Sequence, residues 1–312
     1  MATDTGPPDL TDDGGLRSAR ERTYHVLLFV CAALSVLVTL AIIATLLGDA
    51  VDFFRAVSPV EFFTKTTWSP SIEGIYGVWP LVFGTVAVTV GSAAIALPVG
   101  VLTAIYLSEY ASKGTRAVLK PLLEVLAGVP TVVYGYFALV YVTPALRVLF
   151  PEISTFNAVS GSIVVGIMII PMVSSISEDA MNAVPDSLRQ AGYGLGATKF
   201  EVSTGIVVPA ATSGIASSFI LALSRAIGET MAVTLAMGMQ SRFPEALTLN
   251  ELLLQPAQTM TAAIVNIGLS DVTGGSVQYK SLFAIGLTLF AITLAMNVVS
   301  DLVAERYREE YE

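Results

Sequence analysis

Residues 178–209 read EDAMNAVPDSLRQAGYGLGATKFEVSTGIVVP. The stretch is largely polar and lies between two long apolar runs. Pro185 suits a first helical turn, where its missing N–H costs nothing. A short helix is expected over residues 187–193, closing at Gly194 or Gly196, because glycine readily takes the left-handed conformation that ends helices. A second helix is expected to start at Thr198. The Thr198 hydroxyl can accept from the Glu201 backbone N–H while the Glu201 carboxylate reaches back to the Thr198 N–H, a capping box. The stretch therefore reads as a knuckle of two short helices.

The flanking runs set the class. Hydrophobic residues make up 54% of the 312 and charged residues 13%, against about 25% charged in a soluble domain. Crossing a bilayer core takes about 20 apolar residues of helix. Six runs qualify: residues 26–47, 80–107, 119–142, 159–176, 206–237 and 282–303. The first is longer than a signal-peptide core of about 7–15 residues and reads as a retained span. Gly128, Pro130 and Pro171 interrupt the runs, as membrane helices tolerate when neighbours or cavity water satisfy the freed backbone groups. The expected fold is an all-α integral membrane protein of six transmembrane helices, multi-pass in the plasma membrane.

Lysine and arginine near the span ends set the orientation. With a cytoplasmic N-terminus, the inner set is Arg17, Arg20, Arg22, Lys113, Arg116, Lys120, Arg189, Lys199, Arg306 and Arg308. The outer set is the smaller one: Arg55, Lys65, Arg147, Arg242 and Lys280. Both termini are therefore expected in the cytoplasm. The chain divides into a tail (1–25), a first helix (26–47), an extracytoplasmic interfacial segment (48–79), a core (80–304) and a second tail (305–312). The interfacial segment carries Phe53, Phe54, Phe62, Phe63, Trp68 and Trp79, an aromatic cluster suited to the headgroups. A second outer segment, 240–279, holds the short apolar piece 259–269, which cannot span and is expected to dip back into the protein.

Several chemistries find no support. The net charge of −9 argues against a nucleic-acid partner. Cys31 and His25 are the single cysteine and histidine, so no internal disulfide, thiolate site or histidine-rich metal site is expected. No glycine-rich run leads into Lys65-Thr66 or Lys280-Ser281, so the chain lacks the loop that cradles ATP phosphates. No catalytic residue, metal or bound cofactor is predicted.

The knuckle resembles the signature of the ABC importer permeases: E-A-A, three residues, G, nine residues, I-x-L-P. Gln190-Ala191-Gly192, Gly196 and Ile206-Val207-Val208-Pro209 occupy those places. Gln190 replaces the acid, Gly192 the second alanine and Val208 the leucine. Residues 126–136 (LAGVPTVVYGY), 170–180 (IPMVSSISEDA), 225–232 (RAIGETMA), 62–85 and 258–264 (QTMTAAI) are similar to phosphate-import permeases of the PstC type. The resemblance implies the type I importer permease architecture and a cargo of inorganic phosphate, with sulfate, molybdate or another oxyanion as the alternative. It also implies partners. A second permease chain (PstA-like) completes the pore, and an ATPase dimer (PstB-like) holds ATP and magnesium. An extracytoplasmic phosphate-binding protein (PstS-like) delivers the cargo. Gln190, Ala191, Gly192, Gly196, Ile206 and Pro209 would form the loop that couples to the ATPase. An ion channel is the rival class, and it would need no such loop.

Residues 223–231 read LSRAIGETM, placing two full charges in an apolar run. An intramembrane charge costs about 2.5–3.5 kcal/mol on the insertion scale, so it faces a partner or an aqueous cavity. Arg225 and Glu229 are four apart and share one face of a helix. Ser218 falls near that stripe, Thr230 lies about 100° further round, and Ser224 adds a hydroxyl. Either the charges only set the packing, or Arg225, Glu229, Thr230, Ser224 and Ser218 line the translocation path. A guanidinium offers an oxyanion two parallel hydrogen bonds, and Glu229 would temper that attraction. Thr85, Thr89 and Ser92 also recur at helical spacing, although hydroxyls often bond to their own helix backbone.

Overall fold

The computed structural model describes residues 14–306, with side chains described from residue 20 to 299 and at Leu302. Residues 1–13 and 307–312, and with them Arg308, lie outside the described range. Two compact units meet in the chain between Asp49 and Ala50. The first contains most of helix α1 (Gly14–Ala56), which is far longer than the 20 or so residues that cross a bilayer. Everything below concerns the second unit.

That unit runs through α2 (Pro59–Thr64), a two-residue hairpin of β1 (Trp68–Ser69) and β2 (Ile75–Tyr76), α3 (Trp79–Ile105), α4 (Lys113–Gly128), α5 (Thr131–Phe137), α6 (Thr143–Arg147) and α7 (Ala158–Asn182). It continues through α8 (Asp186–Gly194), α9 (Lys199–Val202), α10 (Val208–Ala210), α11 (Thr212–Ile227), α12 (Met231–Met237), α13 (Met260–Leu269) and α14 (Val277–Arg306). Among the described residues of the whole chain, four helices are long and apolar enough to cross a membrane. Two bent pairs bring the number to six when each counts as one span: Lys113–Gly128 with Thr131–Arg147, bent by 88°, and Lys199–Ala210 with Thr212–Ile227, bent by 68°.

Prolines account for much of the bending. The first bend falls at Val129-Pro130, where Val129 is extended (ψ 129°), as a residue before proline prefers. Tyr134 donates its hydroxyl to the Leu126 carbonyl at 2.7 Å, which also accepts from the Val129 N–H at 3.4 Å and so ties α5 to the end of α4. Two π-helical turns, Ala138–Val142 and Ser203–Val207, each end two residues before a proline, Pro144 and Pro209. Proline lacks an N–H and its ring crowds the preceding turn, and the wider turn makes room for it. Beyond Pro209, Thr212 Oγ1 donates to the Val208 and Pro209 carbonyls at 3.1 and 2.8 Å. The backbone thus bends at Ala211, inside the run expected to be one helix from 206 to 237.

α3 packs along α7 through small residues. A methyl group built on Gly91 would stand 2.3 Å from Ser162 Oγ. Close backbone approach of this kind is how membrane helices gain van der Waals contact. One end of α3 meets an aromatic mini-core, the other the knuckle.

The aromatic segment folds on itself and against α13 and α14. Phe53 and Phe62 are fully buried, with ring centroids 5.6 Å apart edge to face, and Tyr76 lies 5.3 Å from Phe53. They share a core with Met260, Ala263 and Ile285 of α13 and α14. Burying large rings edge to face gains more than leaving them at a water boundary. Phe63 and Trp79 keep exposed faces. The short apolar piece forms α13 with Thr259 as its N-cap. Thr85 Oγ1 accepts from the Met260 N–H at 3.0 Å, tying α13 to α3.

Candidate functional site

The LSRAIGETM stretch is not one helix. α11 ends at Ile227, and Gly228, Glu229 and Thr230 separate it from α12. Two contacts hold this break. Glu229 Oε1 accepts from the Ala232 N–H at 3.2 Å, filling an open donor at the start of α12. The Thr261 hydroxyl donates to the Glu229 carbonyl at 2.8 Å. The charge pair nonetheless forms, with Arg225 Nη1 3.3 Å from Glu229 Oε2. Its partners differ sharply in exposure: the Glu229 side chain is 2% exposed and that of Arg225 44%. The carboxylate is locked into the protein, and the guanidinium is free to turn outward.

Arg225 reaches a cavity of about 300 Å³ between α4, α7 and α11. Its polar lining comprises Lys120, Glu124, Ser175, Glu178 and Arg225, over an apolar floor that includes Met168 and Met172. Glu178 is fully buried. It contacts the Arg116 guanidinium, and its Oε2 lies 3.4 Å from Lys120 Nζ. These are contacts of charge alone, because neither carboxylate oxygen has a partner in hydrogen-bonding geometry.

The other expected path residues point elsewhere. Ser218 is fully buried, its hydroxyl 2.9 Å from that of Ser177 on α7 and 2.7 Å from the Ile215 carbonyl. Ser224 donates to Asn297 Oδ1 at 3.0 Å, joining α11 to α14. Thr230 is the N-cap of α12 and donates to the Gly228 carbonyl at 3.2 Å. Thr85, Thr89 and Ser92 are buried and donate to carbonyls of their own helix. Of the five proposed path residues, Arg225 lines the cavity and Glu229 holds it there.

The knuckle forms as its caps dictate. The Thr198 N–H donates to Glu201 Oε2 at 2.7 Å and the Glu201 N–H to Thr198 Oγ1 at 3.3 Å, completing the capping box. Pro185 sits one place earlier than expected, as N-cap of α8. α8 ends with Gly196 at φ +82°. The Ala197 N–H bonds to the Gly192 carbonyl and the Gly196 N–H to the Tyr193 carbonyl. This is a Schellman closure, which needs a left-handed residue at the position of Gly196. Gly192 is buried, Ile206 is half-buried, and Gln190, Ala191, Gly196 and Pro209 are exposed. Tyr193, Leu195 and Phe200 stand out at 44%, 90% and 67% exposure. The chain's own packing leaves these three large apolar side chains uncovered.

Sequence reasoning missed the anchor of this knuckle. Arg189 donates to the Val184 carbonyl just beyond α7 and to the Met181 carbonyl in its last turn, at 2.6 and 2.8 Å. It also reaches Glu109 Oε1 at 3.1 Å, and Lys199 Nζ sits 5.1 Å from the centre of the Tyr110 ring. A basic residue just beyond a helix C-terminus was the available signal. Lys120, Arg116 and Glu178 were missed as a group, because their meeting depends on how α4 packs against α7.

The Binding-protein-dependent transport system inner membrane component family model matches residues 96–309. The chain is 34% identical over 285 aligned positions, 90% of each chain, to the Probable ABC transporter permease protein YqgH of Bacillus subtilis (strain 168). It is 33% identical over 324 aligned positions, 96% of each chain, to the Phosphate transport system permease protein PstC of Xylella fastidiosa (strain 9a5c). Among solved structures, a bacterial ABC transporter involved in the import of the acidic polysaccharide alginate has a chain of the same fold. That likeness has a TM-score of 0.63 at 15% identity and covers 94% of this chain and 100% of that one. The inward-facing MetNI methionine ABC transporter gives a TM-score of 0.55 at 16% identity, covering 78% and 100%. The chain is therefore a multi-pass plasma-membrane permease subunit that belongs to the binding-protein-dependent transport system inner membrane component family.

Proposed function

We propose that this chain is the permease subunit of an ATP-driven importer of inorganic phosphate and forms half of the translocation path. The observation that carries this reading is the half-exposed Arg225 guanidinium, set in the cavity wall by a buried carboxylate. Phosphate is tetrahedral and anionic, and a guanidinium meets two of its oxygens at once. The likeness to a relative named as a phosphate permease over nearly the full chain supports phosphate over other oxyanions.

Glu229 keeps the site weak. It occupies Arg225 when no cargo is present and competes for the guanidinium when cargo arrives. High affinity then belongs to an extracytoplasmic phosphate-binding protein (PstS-like), and this chain passes the ion on. A second permease chain (PstA-like) completes the path. ATP and magnesium sit on an ATPase dimer (PstB-like), which grips the exposed Tyr193, Leu195 and Phe200 of the knuckle. Both termini and the knuckle then face the cytoplasm, as the balance of lysine and arginine suggests.

Proteoliposomes holding all four components test the reading. ATP-dependent accumulation of radiolabelled phosphate, undiminished by excess sulfate, is the expected result. Preference for sulfate would reassign the cargo, and accumulation indifferent to ATP would remove the importer.

A further inference from the structure

The cavity beside Arg225 holds a second cation whose setting repeats the first. Lys120 is 34% exposed in its side chain, and Glu178, which it faces at 3.4 Å, is 1% exposed. Arg225 and Glu229 show the same contrast, 44% against 2%. In both pairs a carboxylate is fixed in the protein and a long cation lies along a wall of the same cavity. Lys120 is shared between two carboxylates. Its ammonium makes no hydrogen bond to Glu178 and lies 3.6 Å from Asp179 Oδ1 as well. Glu178 also keeps Arg116, so it is not stranded when Lys120 turns away.

We propose that Lys120 is a second contact for the transported oxyanion, and that Glu178 is the counter-ion it leaves when the oxyanion enters. The inference rests on the reading of Arg225 as part of the phosphate path. The charges of the lining support transit over capture. Lys120 and Arg225 are balanced by Glu124 and Glu178, so the empty cavity has no net pull on an anion. An oxyanion binds only while the cations face it, and it loses them again to their own acids. A flexible ammonium on a four-carbon stem suits this exchange. Ser175 on the same wall offers a hydroxyl donor to a phosphate oxygen.

The test uses the complete importer in proteoliposomes, with assembly confirmed by co-purification of all subunits. Lys120→Gln is expected to lower maximal phosphate uptake roughly tenfold or more, and Lys120→Arg to retain most of it. The double variant Lys120→Gln/Glu178→Gln separates transport from local charge balance, because it removes the cation together with the buried carboxylate that faces it. If Lys120 serves the substrate, the double variant stays as slow as Lys120→Gln. Recovery of wild-type uptake in the double variant would show that Lys120 only neutralises Glu178, and would overturn the proposal. Unchanged uptake in Lys120→Gln would do the same. Arg225→Gln run in parallel tells the two readings apart. A dead Arg225→Gln beside a normal Lys120→Gln removes Lys120 alone, while a normal Arg225→Gln removes the path on which both depend.

Discussion

Arg189 and Glu109, 80 residues apart in the chain, meet at 3.1 Å. Through that contact the first helix of the knuckle is fastened to a π-helical turn, Tyr106–Tyr110, that follows α3. Both partners are largely buried, with 15% and 6% of their side chains exposed. The same guanidinium donates to the Met181 carbonyl in the last turn of α7 and to the Val184 carbonyl just beyond it. One side chain thus joins three elements, and any push on the knuckle reaches α3 and α7 together.

Arg189→Gln is expected to loosen the knuckle. Breaking a buried pair costs about 3–5 kcal/mol because the remaining charge is left without a partner. Hydrogen exchange should rise across α8 and α9, and phosphate-stimulated ATP hydrolysis by the assembled importer should fall. Unchanged exchange in α8 would mean that the capping interactions alone hold the knuckle.

A second prediction concerns Gly192. A methyl group there would stand 2.6 Å from Ile206 Cδ1 and 3.0 Å from Val202 Cγ2. Gly192→Leu should therefore overpack the knuckle, at about 1–3 kcal/mol, and uncouple ATP hydrolysis from uptake. Trimming the neighbour with Ile206→Ala in the same chain should recover part of the coupling. If Gly192→Leu transports normally, the two ends of the signature do not act through this contact.

What could be read in advance was local. The capping box of Thr198 and Glu201 needs three residues of context, and it formed as expected. The break at Pro130 follows from one residue type. The break at Gly228-Glu229-Thr230 has no proline to announce it, and it rests on Thr261 from a distant segment. The helical wheel places Ser218 near the Arg225 stripe of α11, but it cannot show that Ser218 meets Ser177 of α7 in the core. Composition shows the aromatic cluster, but not that α13 and α14 supply a core for part of it. Glu178 looked like an ordinary end of a span until α4 brought Arg116 and Lys120 to it.

A third prediction follows from Glu251, which pairs with Arg242 in the segment between α12 and α13. The hydrogen bond from Arg242, helped by its charge, holds the Glu251 carboxyl below its ordinary value of 4.5. A lowered carboxyl adds stability above the unfolded value, and that gain is lost as the pH falls through the folded value. Wild type should therefore be more heat-stable than Glu251→Gln at pH 7, with the difference shrinking as the pH drops below 4.5. Melting curves from pH 7 to pH 3.5 would show it. A difference that stays constant across that range would contradict the assignment.

The role of Arg225 is decided most directly by phosphate uptake in Arg225→Gln. A hydrogen bond to a charged group contributes about 1.5–3 kcal/mol, so its loss should slow uptake roughly 10- to 100-fold in a complex that still assembles with its ATPase. Wild-type uptake by the assembled Arg225→Gln complex would contradict the account.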